Sequence, residues 1–109
     1  MADPITIADF AKVELRTAKV LEARPHPNAD KLLVLVVEIG EERKQICAGI
    51  KQHYTPEDLV GKSIIVVNNL QTAVLRGEES QGMLLAASDE NGVVLLRPER
   101  DMASGCVVK

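Results

Sequence analysis

The sequence predicts an all-β domain, closed into a small Greek-key barrel with one short helix. Three observations predict it. Apolar residues recur mainly at period two, turn-forming Gly, Pro, Asn and Asp punctuate the chain, and the order reads as three strands, a short helix and further strands within 109 residues. That length supports one compact domain, residues 1–109, because single domains cluster at roughly 100 to 150 residues.

Residues 5–12 suit a short helical lead-in, with Thr6 as N-cap and Asp9 three residues on. The first strand covers 13–23. Its apolar positions change parity, from Val13 and Leu15 to Ala18 and Val20, which predicts a bulge or bend near Arg16-Thr17. The segment from Arg24 to Asp30 holds two prolines and Asn/Asp turn formers, so it is a loop. Lys31 to Ile39 is a near-continuous apolar run, the pattern of a strand buried on both faces. A turn at Gly40-Glu41-Glu42 leads into a third strand, Arg43 to Ala48, completing a meander.

Gly49 and Gly61 bracket a short helix, for which Thr55 supplies a cap, Pro56 the first position and Glu57 an acid in the first turn. Lys62 to Asn68 is the fourth strand, and Asn69 to Gln81 reads as a long polar loop broken at Gly77. Met83 to Ser88 and Val93 to Arg97 are the fifth and sixth strands, joined by the hairpin signal Asp89-Glu90-Asn91-Gly92. A tail from Pro98 carries Gly105 and Val107-Val108. This order fits a barrel of the OB type, in which the loop after the first strand and the loop between the fourth and fifth frame the binding face. A six-stranded sandwich is the alternative.

Composition narrows the function. A formal charge of −3 and two aromatic residues, Phe10 and Tyr54, argue against a uniformly basic surface and against a platform that stacks bases. No apolar run approaches the roughly 20 residues of a membrane span, and the N-terminus lacks a basic start and an apolar signal core, so a cytoplasmic protein without membrane contact is expected. Cys47 and Cys106 are far apart and outside any CxxC pattern, which predicts reduced thiols.

Catalytic chemistry has little to stand on. His26 and His53 are isolated, there is no GxSxG or P-loop, and Cys47 lies in an alternating strand where a buried inert thiol is the simplest reading. No catalytic residue, metal or cofactor is expected. Charge, however, is segregated: Lys12 to Lys31 holds five cations against three acids, whereas residues 54–109 hold five against eight. Lys12, Arg16 and Lys31 are read equally well as solubilising charges or as phosphate contacts. Arg76-Gly77, followed by Ser80, Gln81 and Gly82, places a guanidinium, a hydroxyl and an amide near a barrel mouth, able to clamp a phosphate or read a base edge. The alternative for Arg76 is a pairing with Glu78 or Glu79. Met83 is core by default, or a thioether packed against a base or sugar if exposed.

Together, the runs Phe10-Ala11-Lys12-Val13-Glu14-Leu15-Arg16, Ala23 to Leu32 (ARPHPNADKL), Asn69-Leu70, Leu75-Arg76-Gly77 and Ser80-Gln81-Gly82-Met83 closely resemble the tRNA-binding domain at the C-terminus of bacterial methionyl-tRNA synthetases. They are similar also to stand-alone dimeric tRNA-binding proteins, to a domain of the phenylalanyl-tRNA synthetase β subunit, and to the synthetase cofactor related to endothelial monocyte-activating polypeptide. The resemblance runs in order over nearly the whole chain. It implies an OB barrel without activity of its own, which binds tRNA by shape as a homodimer, with the segments after the barrel at the dimer interface. The implied partners are tRNA, a second copy and a synthetase catalytic domain, fused or separate, whose aminoacylation the domain would assist.

Carried over by position, the RNA face comprises Lys12, Arg16, Asn28, Lys31, Asn69, Arg76, Ser80 and Met83. Cations would neutralise phosphates, and Asn28, Asn69 and Ser80 would hydrogen-bond sugars or base edges. The chain departs from many relatives in having no lysine between Leu70 and Arg76. A dimeric, chaperone-like, peptide-binding module on the same barrel is the alternative function, and a hydrolase using Cys47 or His26 has nothing further in its favour.

Overall fold

The structure, a computed structural model, describes residues 2–109. Helix α1 (Ile7–Phe10) is capped as expected, the Thr6 hydroxyl accepting a hydrogen bond from Asp9 N at 3.0 Å. Three long antiparallel strands follow, β1 (Leu15–Pro25), β2 (Leu33–Ile39) and β3 (Glu42–Ala48). Helix α2 (Pro56–Leu59) connects them to β4 (Ser63–Val67) and drives Leu59 into the core. Thr55 occupies the N-cap position of α2, but its hydroxyl makes no capping bond; Pro56 alone sets the start.

The main sheet runs β3-β2-β1-β4 and ends on β7 (Met83–Leu84), with β10 (Val107–Val108) added to the edge of β1. It curls around a single core that includes Val20, Leu33, Leu35, Ile46, Ile64 and Val66, all essentially inaccessible to water. One curled sheet therefore replaces the two stacked layers of a sandwich, giving the OB-like barrel.

The register of β1 against β2 shifts between Val20 and Glu22, four or more residues beyond the expected bend at Arg16-Thr17. The parity change that suggested the earlier position has another cause. Leu15–Lys19 pairs with β4, and the opposite edge at Leu15-Arg16 is taken by β10, so the start of β1 is covered by the C-terminal tail as well as by the core. Thr17 is buried there: its hydroxyl donates to Ala103 O (2.8 Å) and accepts from Cys106 N (2.9 Å). Gly105 makes this fit possible, since a Cβ on it would lie 2.7 Å from Gly40 N and its φ is +82°.

Two expected elements differ. The polar loop 69–81 contains a hairpin, β5 (Ala73–Leu75) and β6 (Glu78–Ser80), too short and too polar to show a strand pattern. The single strand Met83–Ser88 is divided: β7 pairs with β4, whereas β8 (Ala86–Asp89) turns away to pair with β9 (Gly92–Leu95) across the expected Asp89–Gly92 turn.

The expected burial of β2 on both faces holds only in part, because on its outer face Val36 and Glu38 stay half-exposed. Leu33, Leu35 and Val37 point inward, and Val34, on the outer face beside Cys47, is also buried. Over that outer face Gln45 Nε2 donates to Glu79 O (2.9 Å), and Arg24 Nη2 meets Glu78 Oε1 at 2.7 Å. The hairpin lies as a cover on the outside of the meander.

Candidate nucleic-acid interface

The side chains singled out in the sequence fall into two clusters, joined by the chain from Arg76 to Met83. The first lies between the loop after β1 and the tip of the β5–β6 hairpin. An open groove of about 690 Å³ is lined there by Asn28–Leu32 and by Val74, Leu75 and Arg76, so Asn28, Lys31 and Arg76 do come together. Its lining combines the aliphatic Ala29, Leu32, Val74 and Leu75 with two cations, Lys31 and Arg76, and one acid, Asp30.

Arg76 and Gly77 form the two-residue turn of the hairpin, with Leu75 opposite Glu78, and both have positive φ, +52° and +90°. A two-residue hairpin loop of the primed type requires this, which is why Asn-Gly is its favoured sequence. Arginine has no local reason to be there: among the described residues it is the one non-glycine with positive φ, a conformation costing about 1–2 kcal/mol. The guanidinium stands at an exposed tip, and among the described residues it makes neither of the alternative pairings, with Glu78 or with Glu79; Glu78 is bound to Arg24 instead. That ion pair also removes Arg24 from the cations free to meet a phosphate. The Arg24 hydrogen bond and charge hold the Glu78 carboxyl below the usual carboxylate range, against a smaller opposing effect of burial.

The second cluster surrounds the N-terminal lead-in and the end of β4. Asn69 uses both ends of its amide as a clamp: Oδ1 accepts from Glu14 N (2.8 Å) and Nδ2 donates to Lys12 O (2.6 Å). Lys12 itself is exposed, with only an outlying contact to Asp9 at 3.4 Å. Arg16 is half-buried; Nη1 donates to Gly105 O (3.1 Å), and Nε stands 3.7 Å from Glu14. Met83 is exposed beside them, opposite Val67 in the ladder, rather than in the core.

Behind this cluster is a polar network the sequence reading missed. Lys44 Nζ donates to Asn68 O (3.0 Å) and Oδ1 (2.8 Å), and Asn68 Nδ2 donates to the Glu14 carboxylate. The Asn68 bond, aided by Arg16 and Lys44, holds the Glu14 carboxyl below its ordinary value. A signal was available: Lys44 shares parity with Ile46 and Ala48, which points an ammonium toward the inside of the barrel.

Ser80 belongs to neither exposed cluster. It is buried, its hydroxyl accepting from Cys47 N and donating to Gly82 O, both at 3.0 Å. With Gln81, which exchanges hydrogen bonds with the Gln45 backbone, it seals the seam between β3 and the strand leading to β7. Cys47, behind it, is a buried thiol whose pKa is raised by desolvation and by the Glu78 charge, the signature of an inert cysteine.

A curled OB-type barrel that displays exposed cations on its loops has the architecture of a binding module. The family model described as "Putative tRNA binding domain" matches residues 15–106. The chain is 56% identical over 104 residues to a methionine–tRNA ligase of Methanococcus aeolicus and 55% identical over 104 residues to that of Thermotoga maritima. These alignments take in 95% of this chain but only 15% and 16% of the ligases. Among solved structures it matches a MetRS-related protein from Pyrococcus horikoshii with a TM-score of 0.92 at 33% identity, covering 99% of this chain and all of that one. It also matches the chaperone CsaA of Bacillus anthracis, with a TM-score of 0.89 at 29% identity over 98% of this chain and all of that one. The chain belongs to the tRNA-binding domain family, a non-catalytic module that forms part of methionine–tRNA ligases.

Proposed function

We propose that the domain grips folded tRNA by its backbone, as a homodimer, and so raises the local tRNA concentration for a methionine–tRNA ligase to which it is fused or with which it meets. The observation that carries this reading is Arg76, an arginine kept in a strained turn where glycine or asparagine would be favoured, facing Lys31 across a groove. Lys31, Arg76 and Lys12 are the cations best placed to neutralise phosphates, with Met83 as an apolar contact. Asn28, Asn69 and Arg16 act on this face chiefly by holding its backbone, and Ser80 by closing the seam beneath it.

Dimerisation has its own support. Ile7, Phe10, Val13 and Val107 leave apolar surface exposed around a groove of about 410 Å³ between α1 and β10. Such surface on a small soluble domain marks a contact site. A second copy would set two cationic faces on one RNA, multiplying weak contacts through effective concentration.

A second reading, peptide binding, is favoured by the likeness to solved chaperones and by the aliphatic part of the groove lining. The identity of 56% to a ligase, against 29% and 28% to the chaperones, favours tRNA. A gel-shift titration of unfractionated tRNA against salt separates the two. Three phosphate contacts per subunit predict a log–log slope of roughly −2 to −3 for each subunit engaged, and Arg76→Ala should lower it by about one. Absence of any shift at low salt would leave the peptide reading.

A further inference from the structure

His26 is nine-tenths and more buried, 4% exposed, yet it belongs to no core strand and to no ligand cluster. Both ring nitrogens are engaged. Asn28 N donates to Nδ1 at 2.9 Å, which requires Nδ1 to be unprotonated and puts the ring proton on Nε2. Nε2 lies 2.7 Å from Leu75 O, 49 residues along the chain, and donates to it. Leu75 ends β5 and immediately precedes Arg76. Asn28 Nδ2 adds a longer contact to Arg76 O at 3.4 Å. The imidazole is thus a bolt between the loop bearing Asn28 and Lys31 and the hairpin tip bearing Arg76.

The tip needs such a bolt. A free two-stranded hairpin is marginal in water, and this one has three residues per strand with all of β5 exposed. Its other anchors, Arg24 to Glu78, Gln45 to Glu79 and Ser80 to Cys47, all grip β6. Among the described residues, no other side-chain hydrogen bond reaches β5, which is otherwise held by its ladder to β6.

We propose that His26 is a positioning residue: its neutral imidazole fixes the spacing between Lys31 and Arg76 before RNA arrives, so that both cations meet a folded phosphate backbone in a preset geometry. The inference rests on the tRNA reading above. Fixing the tip in the free protein removes an ordering cost from binding, which is where preorganisation acts.

Two substitutions divide the two bonds of the ring. His26→Gln keeps a donor long enough to reach the Leu75 carbonyl, whereas the shorter His26→Asn still offers Oδ1 to Asn28 N but its amide donor falls short of Leu75 O. In filter binding of unfractionated tRNA at 25 °C, His26→Asn should weaken binding about tenfold, the size of one net hydrogen bond, and His26→Gln should stay within about threefold of the parent. Added to Arg76→Ala, His26→Asn should have less than about a twofold further effect, because there is no tip charge left to position. Effects that multiply, or an Asn variant that binds as the parent does, overturn the proposal while Arg76→Ala still reports on the RNA face. If Arg76→Ala leaves binding untouched, the face lies elsewhere and the proposal falls with it. A measurement on the unaltered protein stands apart from any folding defect: amide order parameters at Arg76 and Gly77 should match the rigid value of about 0.85, and values under about 0.6 in the free domain also overturn it.

Discussion

Replacing Ser80 by alanine distinguishes a hydroxyl that touches RNA from one that closes the barrel. The substitution removes one oxygen atom and opens no cavity of consequence, so its effect isolates hydrogen bonding. Ser80 Oγ accepts from Cys47 N and donates to Gly82 O at 3.0 Å each, and the residue is buried. Cys47 N points away from β2, off the edge of β3, and Ser80 is what covers it. Alanine leaves a buried backbone donor and a buried acceptor without this partner, at about 1–3 kcal/mol for each group left unsatisfied and less where water can enter. A net loss of about 2–3 kcal/mol follows, which for a domain of this size lowers Tm by about 10 °C. Thermal melts by circular dichroism measure the first quantity, and tRNA binding at 25 °C the second. Tm should fall by that amount while the affinity of the folded protein stays within about twofold. A melt within about 2 °C of the parent, together with a tenfold loss of tRNA affinity, would refute the reasoning and return Ser80 to the RNA face.

Other expectations follow from the same geometry. Light scattering should give twice the 11.8 kDa of one chain, and Phe10→Asp should return the monomer; a monomer at high concentration would remove the two-sided grip. Acid should loosen the lead-in and the hairpin together. Glu14 and Glu78 have folded pKa values depressed below the ordinary 4.5, so their stabilisation is present above that pH and is lost as pH falls through the folded values. Tm should therefore drop below about pH 4.5, and a Glu14→Gln, Glu78→Gln double variant should show a flatter profile; parallel profiles would mean other carboxylates dominate.

Short apolar runs bounded by turn residues made β1, β2, β3 and β4 legible, β2 and β4 as near-continuous runs and β1 and β3 with partial alternation. Thr6 was legible as a cap from signals just as local. The β5–β6 hairpin was not: Val74 and Leu75 are exposed, Glu78 is spent on Arg24, and no alternation remains to read. The divide between β7 and β8 at Leu85 was not legible either, because no glycine or proline marks it: Leu85 N donates to Ile65 O while its carbonyl accepts from Leu96 N, so the change of partner is a tertiary event. The candidate face was legible as a set of residue types but not as a set of roles. Asn69, Ser80 and Arg16 are polar residues suited to RNA, and each is engaged by a backbone group more than thirty residues away.

The sequence by itself determined the all-β class, the order of the long strands, the segregation of charge and the family. These depend on periodicity, local turn chemistry and motif order, all carried by neighbouring residues. Tertiary structure alone decided which of those polar side chains remain free. Whether an arginine meets a phosphate or a carbonyl, and whether a histidine is idle or a bolt, depends on groups that only folding brings within 3 Å. His26 and Leu75 are 49 residues apart in the chain and 2.7 Å apart in space.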